Sequence, residues 1–187
     1  MRLWDCLRGE VVQGSRLEMR FSPDTHSAEE VIRLLDLQPL PGEGGYFRRT
    51  AESPVLIESP WGKRRAWSSI YALFTPASLS ALHRLRQDEV WCFHAGDPLE
   101  ALRLPPDGPA QRVVLGLNPV AGHRSQDIVL ARTWQGARVA AGGRWALVSS
   151  VVAPEFLWED LELAQPESLV GLYPDLADAI RALSRAQ

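Results

Sequence analysis

Cysteine is scarce: Cys6 and Cys92 are the only two in 187 residues. There is no CxxC pair and no Cys/His cluster of zinc-finger spacing, which excludes a disulfide scaffold and a structural zinc module. Cys92 reads as a small buried hydrophobe. Long apolar runs are also missing. Nothing approaches the roughly 18 residues of a membrane helix, so a membrane partner is not expected. No basic block stands out either. With 20 Lys+Arg against 23 Asp+Glu the net charge is −3, too little positive charge to make nucleic acid a natural partner. Charges interrupt every short apolar stretch of the N-terminus, so it lacks the continuous core of a signal peptide. The expected location is cytoplasmic, with both thiols reduced. Met19 offers an alternative start, and residues 1–26 read as an N-terminal extension. Internal repeats and low-complexity segments are absent.

What is present points to one packed domain over residues 27–187. The hydrophobic share of 45% is that of a globular chain, and the length fits a single domain of roughly 100–200 residues. Ser27-Ala28-Glu29-Glu30 has the form of a capping box. Ala28, Val31, Ile32, Leu34 and Leu35 then recur at helical spacing, predicting a helix of about three turns ended by Pro39 and Pro41. A turn-rich connector follows, Pro41-Gly42-Glu43-Gly44-Gly45. Short β-like runs then alternate with turn residues. The expected strands are 46–50, 55–59, 65–74, 78–85, 89–94, 99–104, 111–117, 126–130, 134–139 and 144–153. Such spacing indicates a mainly β sandwich or barrel. Beyond Pro154 the chain reads as loops, then as a closing helix over 175–186.

Chemistry concentrates between Ser80 and Pro98. Side chains alternate faces along a strand, so Ala81, His83 and Leu85 share one face. Glu89, Trp91 and Phe93 share another. A carboxylate grouped with Trp and Phe on an inward face must find a partner, hold a cation or stay protonated. Elsewhere the signals are plainer. The Gly42–Gly45 connector lacks the Gly-Lys-Ser/Thr ending of a phosphate loop. Ser149-Ser150 has no nucleophile-elbow context. His26 and His123 read as surface residues.

The spacing of His83, Glu89 and Gly96 resembles the first motif of the cupin superfamily, His-x-His-x3-4-Glu-x6-Gly, with Leu85 at the second His. Leu130 to Gln135 is similar to the second motif, Pro-x-Gly-x2-His, with Gln135 in place of the last His. Pro41 to Thr50, Ser69-Ile70-Tyr71, His83-Arg84, Asp88-Glu89, Ala95 to Leu99, Trp134-Gln135, Trp145 to Val148 and Val152-Ala153-Pro154 extend the likeness to the fifth cupin family, over about residues 28–174. That branch resembles the sugar-nucleotide epimerase barrels in fold. One departure is Trp91-Cys92-Phe93-His94, where relatives more often carry Trp-His-Phe-Tyr.

The resemblance implies a single jelly-roll β-barrel, the double-stranded β-helix, with short helices near its two ends. It also implies a barrel pocket for a small molecule, and two chemistries stay open for it. In one, His83, Glu89 and Gln135 hold a divalent metal such as zinc, manganese or nickel. In the other, His83 is a metal-free general base at neutral pH, oriented by Glu89, with Tyr46 or Tyr71 as the acid. Trp91, Tyr46 and Tyr71 are expected to line the pocket, and Arg48 to grip a carboxylate or phosphate. The expected function is a small-molecule-binding enzyme of isomerase or epimerase type acting on a carbohydrate-like metabolite. The alternative is a non-catalytic binding module whose metal site has degenerated. A homodimer is the expected assembly.

Overall fold

The structure, a computed structural model, describes residues 21–184. Helix α1 (Ala28–Leu34) starts as the sequence suggests. Ser27 and Glu30 bond each other's backbone N–H groups in a capping box, meeting donors that a helix start leaves open. The helix is shorter than expected because Asp36 adopts φ +52, a left-handed turn that stops it before Pro39 is reached.

Thirteen strands follow: β1 (Gln38–Pro39), β2 (Tyr46–Glu52), β3 (Leu56–Ser59), β4 (Gly62–Arg65), β5 (Ser68–Phe74), β6 (Ser80–Arg84), β7 (Asp88–Gly96), β8 (Leu99–Leu104), β9 (Gln111–Leu115), β10 (Gln126–Val129), β11 (Trp134–Val139), β12 (Ala146–Ala153) and β13 (Glu162–Leu163). Helices α2 (Pro166–Leu172) and α3 (Ala177–Ala182) close the described chain. All strand pairings within the two main sheets are antiparallel. Six strands form one sheet in the order β1-β2-β5-β12-β7-β10, and five form the other in the order β13-β6-β11-β8-β9. The architecture is a mainly β, double-sheet jelly roll with short flanking helices.

Two expectations need correction. The run 65–74 divides, because β4 leaves the six-stranded sheet to pair with β3 as a separate ribbon. The segment after Pro154 is not all loop. Pro166 opens α2, at a helix position where its missing N–H costs nothing, and Leu169 anchors it in the core. The closing helix α3 follows a 3-10 turn at Pro174–Leu176, and residues 185–187 lie outside the described part.

Three apolar clusters explain the layering. Between the sheets, Phe74, Trp91, Phe93, Val129 and Val148 meet Leu99, Ala101, Val113, Leu115 and Val139. Outside the six-stranded sheet, Val31 and Leu37 of the α1 region pack on Leu73, Trp145 and Leu147, with Tyr46 and Tyr71 against them. Outside the five-stranded sheet, Leu82, Leu102 and Leu104 lie under Leu169, Ile180 and Leu183. Strand β8 is buried at five of its six positions because both its faces are covered. Gly96 is required at the end of β7. It has φ +106, and a Cβ there would sit 2.3 Å from the Trp145 carbonyl oxygen, closer than any side chain tolerates.

Candidate functional site

The inner faces of the two sheets do not stay apolar throughout. Register places His83 of β6 opposite Gln135 of β11, and Gln135 opposite Arg103 of β8, so a row of three polar side chains crosses the five-stranded sheet. Facing it, β7, β12 and β10 contribute Glu89, Ser150 and Asp127. All six are buried. Buried polar groups are tolerated when hydrogen-bonded, and much of this set is. The Glu89 carboxylate accepts from Gln135 Nε2 at 2.5 Å and from the Ser150 hydroxyl. Arg103 Nε donates to Asp127 at 3.1 Å. Burial pushes the Arg103 guanidinium below its usual pKa, opposed by the nearby negative charges of Asp127 and Glu89. The same guanidinium lies 5.2 Å from the Trp91 ring centroid, a cation–π distance.

His83, only 2% exposed, is fixed through its own strand. Its Nδ1 lies 2.8 Å from the Ala81 carbonyl oxygen. A carbonyl only accepts, so Nδ1 carries the hydrogen, and in the neutral ring Nε2 keeps the lone pair. Glu43 Oε1 stands 3.7 Å from the same Nδ1 and accepts from Ser80 Oγ at 2.7 Å. The connector that delivers Glu43 turns through three glycines with positive φ, Gly42, Gly44 and Gly45, and is tied to β6 by the Ala81 N–H donating to the Glu43 carbonyl.

A cavity of about 350 Å3 opens beside this cluster, with His83, Glu89, Glu43 and Ser150 in its wall. Leu85, Ile70, Leu40 and Val152 give it apolar sides, and Phe47, Phe156, Trp158, Arg49 and Ser68 form the rest of the lining. Phe156 and Trp158 belong to the strap after β12. Their rings meet edge to face at 5.3 Å, and Phe47 meets Trp158 at 6.5 Å. Several bonds hold the strap down. The Phe156 N–H donates to Ser68 Oγ at 3.0 Å, Arg49 Nη2 to the Phe156 carbonyl at 3.1 Å, and Gln87 Nε2 to Asp160 at 2.7 Å.

Of the residues expected at the site, His83 and Glu89 face this cavity together, with no hydrogen bond or ion pair joining them. Gln135 stands behind Glu89 and outside the lining. Trp91 is in the core between the sheets, stacked on Phe74 at 5.9 Å. Tyr46, Arg48 and Tyr71 are on the opposite face of the six-stranded sheet. The reason is strand parity: in β2 the inward positions are Phe47 and Arg49, which leaves Tyr46 and Arg48 pointing outward, and Arg48 pairs in register with Tyr71. The sequence reading missed Glu43, Arg49, Ser150, Phe156 and Trp158 as lining residues. Alternation in β2 was visible, but nothing in the sequence alone says which of its faces is inside. Ser150 had been weighed only as a nucleophile.

The donor set does not fit a resident metal. Gln135 turns its amide nitrogen toward Glu89, as it must beside a carboxylate that can only accept, and its Oε1 is buried without a partner. That leaves the His83 imidazole, the Glu89 carboxylate already accepting two hydrogen bonds, and Glu43, which accepts from Ser80 and stands on the protonated Nδ1 side of His83. A metal site wants three or four good donors converging on one point. Among the described residues no group of three His, Cys, Asp or Glu side chains could hold a metal ion.

An interior polar row in a jelly roll of two antiparallel sheets is a cupin arrangement, and comparison with known proteins agrees. Residues 29–164 match the family model described as cupin superfamily, DUF985, and the chain belongs to that family. A hypothetical protein from Leishmania major is 34% identical, with a TM-score of 0.80 over 86% of this chain and 100% of its own. A protein from Shewanella oneidensis is also 34% identical, with a TM-score of 0.78 over 87% and 99%. A cupin 2 conserved barrel domain protein from Rhodopseudomonas palustris shares the fold at 15% identity and a TM-score of 0.54, over 80% and 86%. Among curated proteins none matches the chain. No helix of the described residues is long and apolar enough to cross a membrane.

Proposed function

We propose that the cavity is a metal-free acid–base site for a small polar metabolite, with chemistry of the isomerase or epimerase type on a carbohydrate-like compound. The observation that carries this reading is the fixed orientation of His83 in the cavity wall. Its Nδ1–H is held by the Ala81 carbonyl, so Nε2 at the far end of the ring is the atom left to take a proton from a bound ligand and return it. Glu43 lies near enough to stabilise the imidazolium that forms. Glu89 is held rigid by Gln135 and Ser150, so it offers a fixed negative charge and acceptor to a hydroxyl or carbonyl compound. The aromatic and aliphatic lining supplies the apolar walls typical of small-molecule sites.

A non-catalytic binding module is the second reading. It is favoured by Leu85 and Gln135 standing where the motifs would supply histidines. Glu89→Gln separates the two, because it keeps the side-chain shape and removes the charge. In an enzyme, turnover of a sugar substrate falls by about 10²-fold or more while the substrate still binds. In a module, only affinity changes. A cytoplasmic homodimer belongs to the same proposal, and light scattering after size-exclusion chromatography tests the assembly.

A further inference from the structure

We infer that the ligand of this cavity carries a positive charge, as an aminated polyol such as an amino sugar does, rather than a phosphate or carboxylate. The inference rests on the small-molecule reading above and sharpens its substrate class. Four observations carry it. Glu89 faces the cavity, and the two hydrogen bonds it accepts come from neutral donors, the Gln135 amide and the Ser150 hydroxyl. Glu43 brings a second carboxylate to the same wall. The one arginine in the lining, Arg49, is committed at the rim to Glu52 at 3.1 Å and to the Phe156 carbonyl. Arg103, whose field also reaches Glu89, is paired with Asp127 at 3.1 Å behind the cavity wall.

An anionic ligand entering this space would face two carboxylates, and the arginine of the lining is already paired with a carboxylate of its own. An ammonium group would be drawn in, and the rings it passes suit it. Phe47, Phe156 and Trp158 meet edge to face on one side of the cavity, and ring faces attract cations. Trp158 is 52% exposed, so its ring is open to an arriving ligand.

The test is calorimetric titration of the full chain, in chelator and at neutral pH, with three matched probes: glucosamine, glucose and glucose 6-phosphate. The chelator separates an organic ammonium from a metal cation as the bound charge. The expected result is that glucosamine binds at least about tenfold more tightly than glucose, a difference of about 1.4 kcal/mol, and glucose 6-phosphate more weakly than glucose. The amine advantage should shrink severalfold in Glu89→Gln. It should also shrink in Trp158→Ala, a surface change that leaves the core intact should Glu89→Gln fold poorly. Equal binding of glucosamine and glucose, tighter binding of the phosphate, or no glucosamine binding overturns the inference. Failure here is distinct from failure of the catalytic reading: amine preference without turnover sinks only the latter, and turnover of a neutral sugar without amine preference sinks only the former.

Discussion

The two ends of the space between the sheets are built from the same strands but filled differently. At one end Phe93, Leu99, Leu115, Val139 and Ala146 close on one another as a dry core. At the other, four residues earlier or later along β7, β8, β11 and β12, Glu89, Arg103, Gln135 and Ser150 are buried together with Asp127 and His83. Hydrophobic packing is sufficient to hold the two sheets together, as the dry end demonstrates. The polar end costs desolvation that an apolar replacement of similar volume would avoid. It also retains Gln135 Oε1, Trp91 Nε1 and both Nη atoms of Arg103 without hydrogen-bond partners, which stability alone does not explain. A cavity opens at the polar end, and function supplies the reason for its chemistry.

Substitutions at the two ends should therefore fail differently. The largest stability loss is expected from Arg103→Met, which leaves the buried Asp127 carboxylate with only the exposed Arg124 as an ion partner, at a cost toward the lower end of about 3–5 kcal/mol. Arg103→Met with Asp127→Leu should recover most of it, and denaturant unfolding of the single and double variants reads the difference. At the dry end, Leu99→Ala should cost about 2–4 kcal/mol by opening a cavity while leaving ligand affinity at the polar end unchanged. A large loss of affinity in that variant would break the separation of the two ends. Between these, Arg132 holds φ +64, a backbone region that penalises a side chain. Arg132→Gly should raise stability by about 1 kcal/mol, seen as a higher melting temperature.

The smallest effect concerns the outer face of the six-stranded sheet, where His94 meets Tyr71 edge to face. Partial burial holds the pKa of His94 below its ordinary value, so the unfolded chain binds more protons in the window just beneath about 6.5. Stability should therefore fall as pH drops through that window. Melting temperatures of the protein and of His94→Gln across mildly acidic pH check this, with a shallower decline expected for the variant.

Much of the fold was legible. Strands β8 and β11 have the ranges that alternation and turn residues imply, and the parity that groups Glu89 with Trp91 and Phe93 appears as buried positions along β7. The Leu130–Gln135 resemblance also left a mark on the backbone. Arg132 occupies the glycine position of that motif and keeps a conformation that glycine adopts freely. The site was legible only at its centre. His83 and Glu89 followed from the resemblance to the first cupin motif. Phe47 against Tyr46 and Arg49 against Arg48 depend on which face of β2 is inside, and period two gives no sign of that. Glu43, Phe156 and Trp158 reach the cavity from a glycine turn and a strap, whose placement depends on tertiary contacts such as Ser68 to Phe156 and Gln87 to Asp160.

The most direct measurement is deuterium incorporation into aldoses, ketoses and amino sugars, followed by proton NMR in D2O, with chelator-treated protein and its His83→Gln variant. A metal-free acid–base site centred on His83 predicts carbon-bound deuterium in at least one sugar with the protein, and a rate about 10²–10⁴-fold lower with the variant. No exchange by the chelator-treated protein, or equal exchange by the two, would contradict it.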